Sequence, residues 1–168
     1  MLKESSKGFT LLELIALFVV IGILAAVAVS RVTNTDVEVI TGADTLKMHL
    51  RYAQTMAMNS NPNAPGDATV WGISCSGTSY WLFNGANPGA NIILLPEDDQ
   101  YINPDRTINL TKKKINISSF TVYFDNRGIP YSTYPATQWV GTPISVAPAS
   151  GGGSTVTVNI TPFTGYVP

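Results

Sequence analysis

The chain of 168 residues has one cysteine, Cys75, and one histidine, His49. The lone cysteine excludes an internal disulfide framework and a multi-cysteine metal site. The lone histidine leaves no two-histidine metal centre, and no nucleophile is evident beside it for acyl transfer. Charge is scarce as well: charged residues make up 12% of the chain, about half the ~25% of ordinary soluble proteins. With Lys+Arg 10 against Asp+Glu 11, the balance gives no general attraction to nucleic acid or anionic lipid. Neither a glycine-rich phosphate cradle nor a zinc spacing is present. These absences argue against a catalytic function and against a resident cofactor or metal.

What the chain does have is one long apolar run. From Phe9 to Val29 a single charge, Glu13, interrupts it. The run would rise about 31 Å as a helix, the thickness of a bilayer core. Ahead of it, residues 1–8 carry Lys3 and Lys7 against Glu4, and the positive-inside bias would hold them in the cytoplasm. A carboxylate near the bilayer centre costs about 2.5–3.5 kcal/mol, so Glu13 needs a partner. An ordinary signal peptide could use Ala26-Val27-Ala28 as its small-x-small cleavage site, but its apolar core is normally shorter and free of acids. A plain membrane anchor leaves Glu13 unexplained.

The stretch Gly8-Phe9-Thr10-Leu11-Leu12-Glu13 resembles the processing and assembly motif of type IV pilins and of the pseudopilins of type II secretion. Gly22-Ile23-Leu24-Ala25-Ala26 continues the likeness, whereas Ser30 stands where most pilins have proline. The resemblance implies cleavage after Gly8 by a prepilin peptidase and N-methylation of Phe9. It also implies an assembly role for Glu13, which would pair with the Phe9 ammonium of a neighbouring subunit. Such a pair offsets two desolvation costs and sets axial register. The small residues Gly22, Ala25, Ala26 and Ala28 would permit close helix approach. Implied partners are copies of the chain, other pilin-like subunits, an inner-membrane assembly platform, and lipid before assembly. The implied location is the bacterial inner membrane before assembly, with the C-terminal domain periplasmic, and a periplasmic or surface filament afterwards.

Beyond residue 30 the pattern changes. Thr35 and Glu38 could form a capping box that restarts a helix. Val39, Ala43, Leu46, Leu50, Ala53 and Ala57 then recur at spacings of three and four, one apolar helical face. Asn59-Ser60-Asn61-Pro62 ends it. Period-two runs follow at 70–75, 80–83, 92–95, 119–124, 143–146 and 155–160, separated by turn signals such as Asn84-Gly85 and Gly151-Gly152-Gly153. The expected fold is α+β and pilin-like. A cleaved leader (1–8) precedes a transmembrane or filament-core helix (9–29), then an amphipathic helical half (30–61), all packed on a mostly antiparallel β-rich domain (62–168).

Within the family, Leu50-Arg51-Tyr52-Ala53-Gln54, Trp71-Gly72-Ile73, Phe124-Asp125-Asn126-Arg127-Gly128 and the closing Thr164-Gly165 resemble the GspH/FimT-like minor pseudopilins and minor pilins. The expected function is a structural subunit of a type II secretion pseudopilus or a type IV pilus. A major pilin, and a DNA-uptake or adhesive minor pilin, are the alternatives. The C-terminal residues 164–168 contain no lysine or arginine, so nucleic-acid binding through the tail is not supported. Lys112-Lys113-Lys114 reads as surface charge facing acids or solvent, and Glu97-Asp98-Asp99 as a solvated loop with too few oxygens for the roughly 6–8 that calcium takes. Tyr101, Tyr131, Tyr134 and Trp139 are either a contact surface or buried loop anchors.

Overall fold

The structure, a computed structural model, describes residues 10–64 and 67–168, the side chains of 28–35 excepted. The chain divides into two compact units, Met1–Asn34 and Thr35–Pro168. Helical backbone runs over α1 (Leu11–Met58). Its described side chains fall into two stretches, 11–27 in the first unit and 36–58 in the second, and these differ in kind.

In the second unit the six apolar residues of the expected stripe, Val39, Ala43, Leu46, Leu50, Ala53 and Ala57, are all buried. They meet the faces of antiparallel strands. The strands are β1 (Trp71–Ser76), β2 (Ser79–Asn84), β3 (Ile92–Ile93), β4 (Ile108–Asn109), β5 (Ile115–Ile117), β6 (Phe120–Phe124), β7 (Pro130–Thr133), β8 (Thr137–Gln138), β9 (Ile144–Pro148) and β10 (Val156–Val158). The larger sheet has the order β3-β2-β1-β6-β7-β8, with β4 also on β2; the smaller is β10-β9-β5. Alternation along β1, β2 and β6 turns Ile73, Cys75, Tyr80, Leu82, Val122 and Phe124 toward α1 and the smaller sheet, in one core with Ile115, Ile144, Val146 and Val158. On the other face of the larger sheet a smaller cluster, Val70, Phe83, Tyr123 and Tyr131, closes over the strands.

Two glycines set the packing distances. A Cβ at Gly42 would lie 2.5 Å from Ile115 Cδ1, so the residue that weakens the helix is where β5 approaches α1. Gly72 faces Phe83 across the β1–β2 ladder. The Phe83 ring lies over the space a side chain there would fill, 2.5 Å from an added Cβ.

The expected fold is corrected in its N-terminal half. Among the described residues no helix is long and apolar enough to cross a membrane. The described apolar stretch 11–27 rises about 25 Å, short of the ~30 Å hydrocarbon core. Nor does one long helix pack on the domain, since only 36–58 contributes to the β unit's core. The transmembrane half and the inner-membrane location therefore fall together. Of the expected restart, the Thr35 side chain lies outside the described residues, and Glu38 is engaged by Lys114 at 2.8 Å. The six period-two runs all contain strands, but β4, β5, β7 and β8 were not expected.

Gly72→Ala is expected to destabilise the second unit by about 1–3 kcal/mol, because the new methyl overpacks the Phe83 ring and the Val122 carbonyl. Equilibrium urea unfolding checks this, as a lower midpoint at unchanged slope.

Candidate assembly site

The first unit presents an apolar helix with nothing described covering it. Every large apolar side chain from Leu11 to Val27 is at least half exposed, from 50% at Leu14 to 79% at Leu11. Exposure does not follow one stripe; it goes all the way round. A helix apolar on every side belongs inside a larger core. Gly22 has no atom within 4 Å of an added Cβ, so the space its missing side chain leaves is open to an incoming helix. Ala25 and Ala26 are exposed too. The Ala28 side chain, and Gly8 and Phe9 altogether, lie outside the described residues.

Glu13 has a local partner that the sequence reading did not find. Its backbone N–H donates to Thr10 Oγ1 at 3.2 Å, and its Oε2 accepts from the Thr10 N–H at 3.5 Å. These reciprocal bonds form a capping box, Ser/Thr at the N-cap and Glu three residues later. The carboxylate also complements the positive end of the helix dipole. The signal is present in the sequence Thr10-Leu11-Leu12-Glu13, the same spacing as Thr35 and Glu38.

Three of the four short motifs singled out in the second unit meet at one helix turn; the fourth, Trp71-Gly72-Ile73, lies apart, with Trp71 Nε1 donating to Ser60 Oγ at 2.8 Å. Gln54 Nε2 donates to Gly128 O at 3.0 Å and to Thr164 O at 2.9 Å. Arg51 donates through Nε and Nη2 to Val167 O at 3.1 and 2.9 Å. The glycine turn is shaped by Asp125, whose Oδ1 accepts from Arg127 N and Ile129 N. Gly165, at φ +66, sits where a Cβ would lie 2.5 Å from both Gln54 Nε2 and Gly128 O. Three separate sequence segments therefore form one polar clasp that ties the C-terminus to α1.

The remaining candidates are accounted for by internal contacts. Lys113 Nζ lies 2.6 Å from Glu97 Oε2, both side chains being largely buried, and 4.4 Å from the centre of the Tyr101 ring. Among the described residues that ammonium is the partner of Glu97 Oε2. Asp98 caps the 3-10 turn Asp99–Tyr101, accepting from Gln100 N and Nε2. The acidic and basic runs thus meet each other. Among the described residues no group of three or more His, Cys, Asp or Glu side chains could hold a metal. Burial pushes the Cys75 thiol up to about 12, which keeps it protonated at neutral pH and removes its nucleophilic form. Trp139 is buried and Tyr101 and Tyr134 half-buried, as loop anchors are, whereas Tyr131 is a buried residue of strand β7.

No known protein family, curated protein or solved structure matches the chain.

Gln54→Leu should leave two carbonyls short of a donor, costing about 1–3 kcal/mol. Hydrogen exchange at the Gly165 amide, which donates to Thr161 O, reports whether the C-terminal clasp loosens as expected.

Proposed function

We propose that this chain is a structural subunit of a type IV pilus-like filament, of the minor pseudopilin or minor pilin kind. The observation that carries the reading is the N-terminal helix, apolar on every side and bearing one carboxylate in its first turn. It belongs to a chain whose second unit has a complete core of its own. Such a helix reaches low free energy by packing against like helices of other copies or of related pilin-like subunits. Burial stabilises by about 25 cal/mol per Å² of apolar surface. Gly22, Ala25 and Ala26 allow the close approach that this packing needs. The convergence of the Arg51–Gln54, Phe124–Gly128 and Thr164–Gly165 segments on one clasp supports the GspH/FimT-like branch, because it gives those short motifs a common physical purpose.

In this reading a prepilin peptidase cleaves after Gly8, and the Phe9 ammonium of one subunit pairs with Glu13 of the next. The capping box keeps Glu13 at the helix start before assembly. Its second carboxylate oxygen, Oε1, is not used by the box, and in this reading it accepts the incoming ammonium.

Two variants separate assembly from capping. Glu13→Ala removes both the cap and the intersubunit charge, and should reduce the chain in sheared filaments at least tenfold while Gly8–Phe9 cleavage proceeds. Thr10→Ala weakens the cap by about 0.5–2 kcal/mol but keeps the carboxylate, and should still be incorporated. The reading fails if Glu13→Ala enters filaments like the unaltered chain, or if the mature N-terminus is not Phe9 by mass spectrometry.

A further inference from the structure

We propose that the outward face of α1 from Val37 to Met58 binds a second copy of this chain, the two helices lying antiparallel and face to face. On the side opposite the buried stripe, Val37, Ile40, Met48 and Met58 are 60%, 54%, 49% and 55% exposed. Asp44, Arg51 and Thr55 are exposed among them. Positions 37, 44, 48, 51, 55 and 58 follow one another at spacings that return to the same side of a helix, so they form one stripe. A helix face turned to water is ordinarily charged and polar along its length. This one is apolar at both ends and in the middle, with one acid and one base between.

The stripe is symmetric about its own centre, and that symmetry names the occupant. Asp44 and Arg51 are equidistant from the point between Lys47 and Met48, and so are Val37 and Met58. Residue numbers run in opposite directions along two antiparallel helices. A two-fold axis at that point therefore sets Asp44 against Arg51 of the second copy, and Arg51 against Asp44 of the second copy. Val37 meets Met58 in the same reciprocal way, and the two Met48 side chains meet at the axis. This is the self-complementary contact that a two-fold dimer requires. Parallel pairing in register would instead oppose Asp44 to Asp44 and Arg51 to Arg51, and like charges so placed repel.

Both charges are free to reach outward. The Asp44 side chain is 68% exposed, and its ion-pair partner, Lys47 of the same helix, stands off at 3.7 Å. Arg51 spends Nε and Nη2 on Val167 O, which leaves Nη1 of the guanidinium fork for a carboxylate. Because Val167 already holds the Arg51 head, pairing orders little that was loose before. Exposed ion pairs add little affinity; here they select direction and register. The affinity comes from covering Val37, Ile40, Met48 and Met58. The contact uses no residue of 11–27, so it stands apart from the filament reading and does not rest on it.

The test is disulfide trapping of the full chain under mild oxidation, with Cys75 buried and out of reach. Met48→Cys should cross-link to its own copy. A mixture of Val37→Cys and Met58→Cys chains should cross-link, whereas either variant alone should not. Each expected cross-link should form about tenfold faster than one at Val140→Cys, an exposed position off this face. Adding Asp44→Arg to Met48→Cys should slow trapping about tenfold by opposing two cations, while Asp44→Glu should leave it unchanged. All these positions are exposed, and circular dichroism confirms that the variants fold. The proposal is overturned if Val37→Cys or Met58→Cys alone cross-links as fast as the mixture, which would mean parallel packing. It is equally overturned if Met48→Cys is trapped no faster than Val140→Cys, or if Asp44→Arg has no effect.

Discussion

Burial of one apolar helix face against an antiparallel sheet is the constraint on which the second unit depends. Leu46 and Leu50 lie at the middle of that face, with small residues, Ala43, Ala53 and Ala57, above and below. The alternation lets strands approach closely at the ends and leaves room for branched side chains in the middle. Gly42 extends the same logic, since its missing side chain is the space that Ile115 occupies. Without that approach the three-stranded sheet would have no wall to close on.

Polar groups then decide where the loose segments go. A domain with this many loops must satisfy carbonyls that strands do not reach. Gln54 and Arg51, on the side of the helix next to the buried stripe, supply the donors for the glycine turn and the C-terminus. His49 does the same for Pro96 from the other flank of the stripe. Within two turns the helix thus carries an apolar face inward with polar groups on either side of it.

The first unit follows the opposite rule. Its helix has apolar residues all round and one carboxylate, held by Thr10 at the helix start. The second unit buries a core of its own; among the described residues, the first leaves every large apolar side chain at least half exposed. This asymmetry is what makes assembly the economical reading of the chain. Within the chain, Glu13 is complemented in its own first turn.

The sequence by itself determined the elements governed by local periodicity and turn chemistry. The stripe from Val39 to Ala57, the end of the helix near Asn59 and six strand positions were legible because side-chain period and glycine or asparagine turns depend on neighbours in the chain. The capping box at Thr10 and Glu13 is equally local, set by a Thr and a Glu three residues apart. Only the tertiary structure decided the rest. β4, β5, β7 and β8 are strands because a partner pairs with them. Lys113 and Glu97 look like two solvated charges until folding sets them 2.6 Å apart. The length of the apolar run suggested a membrane span, yet no described helix is long and apolar enough to cross one. Hydrophobicity records that a surface must be covered; which surface covers it depends on geometry that sequence order does not contain.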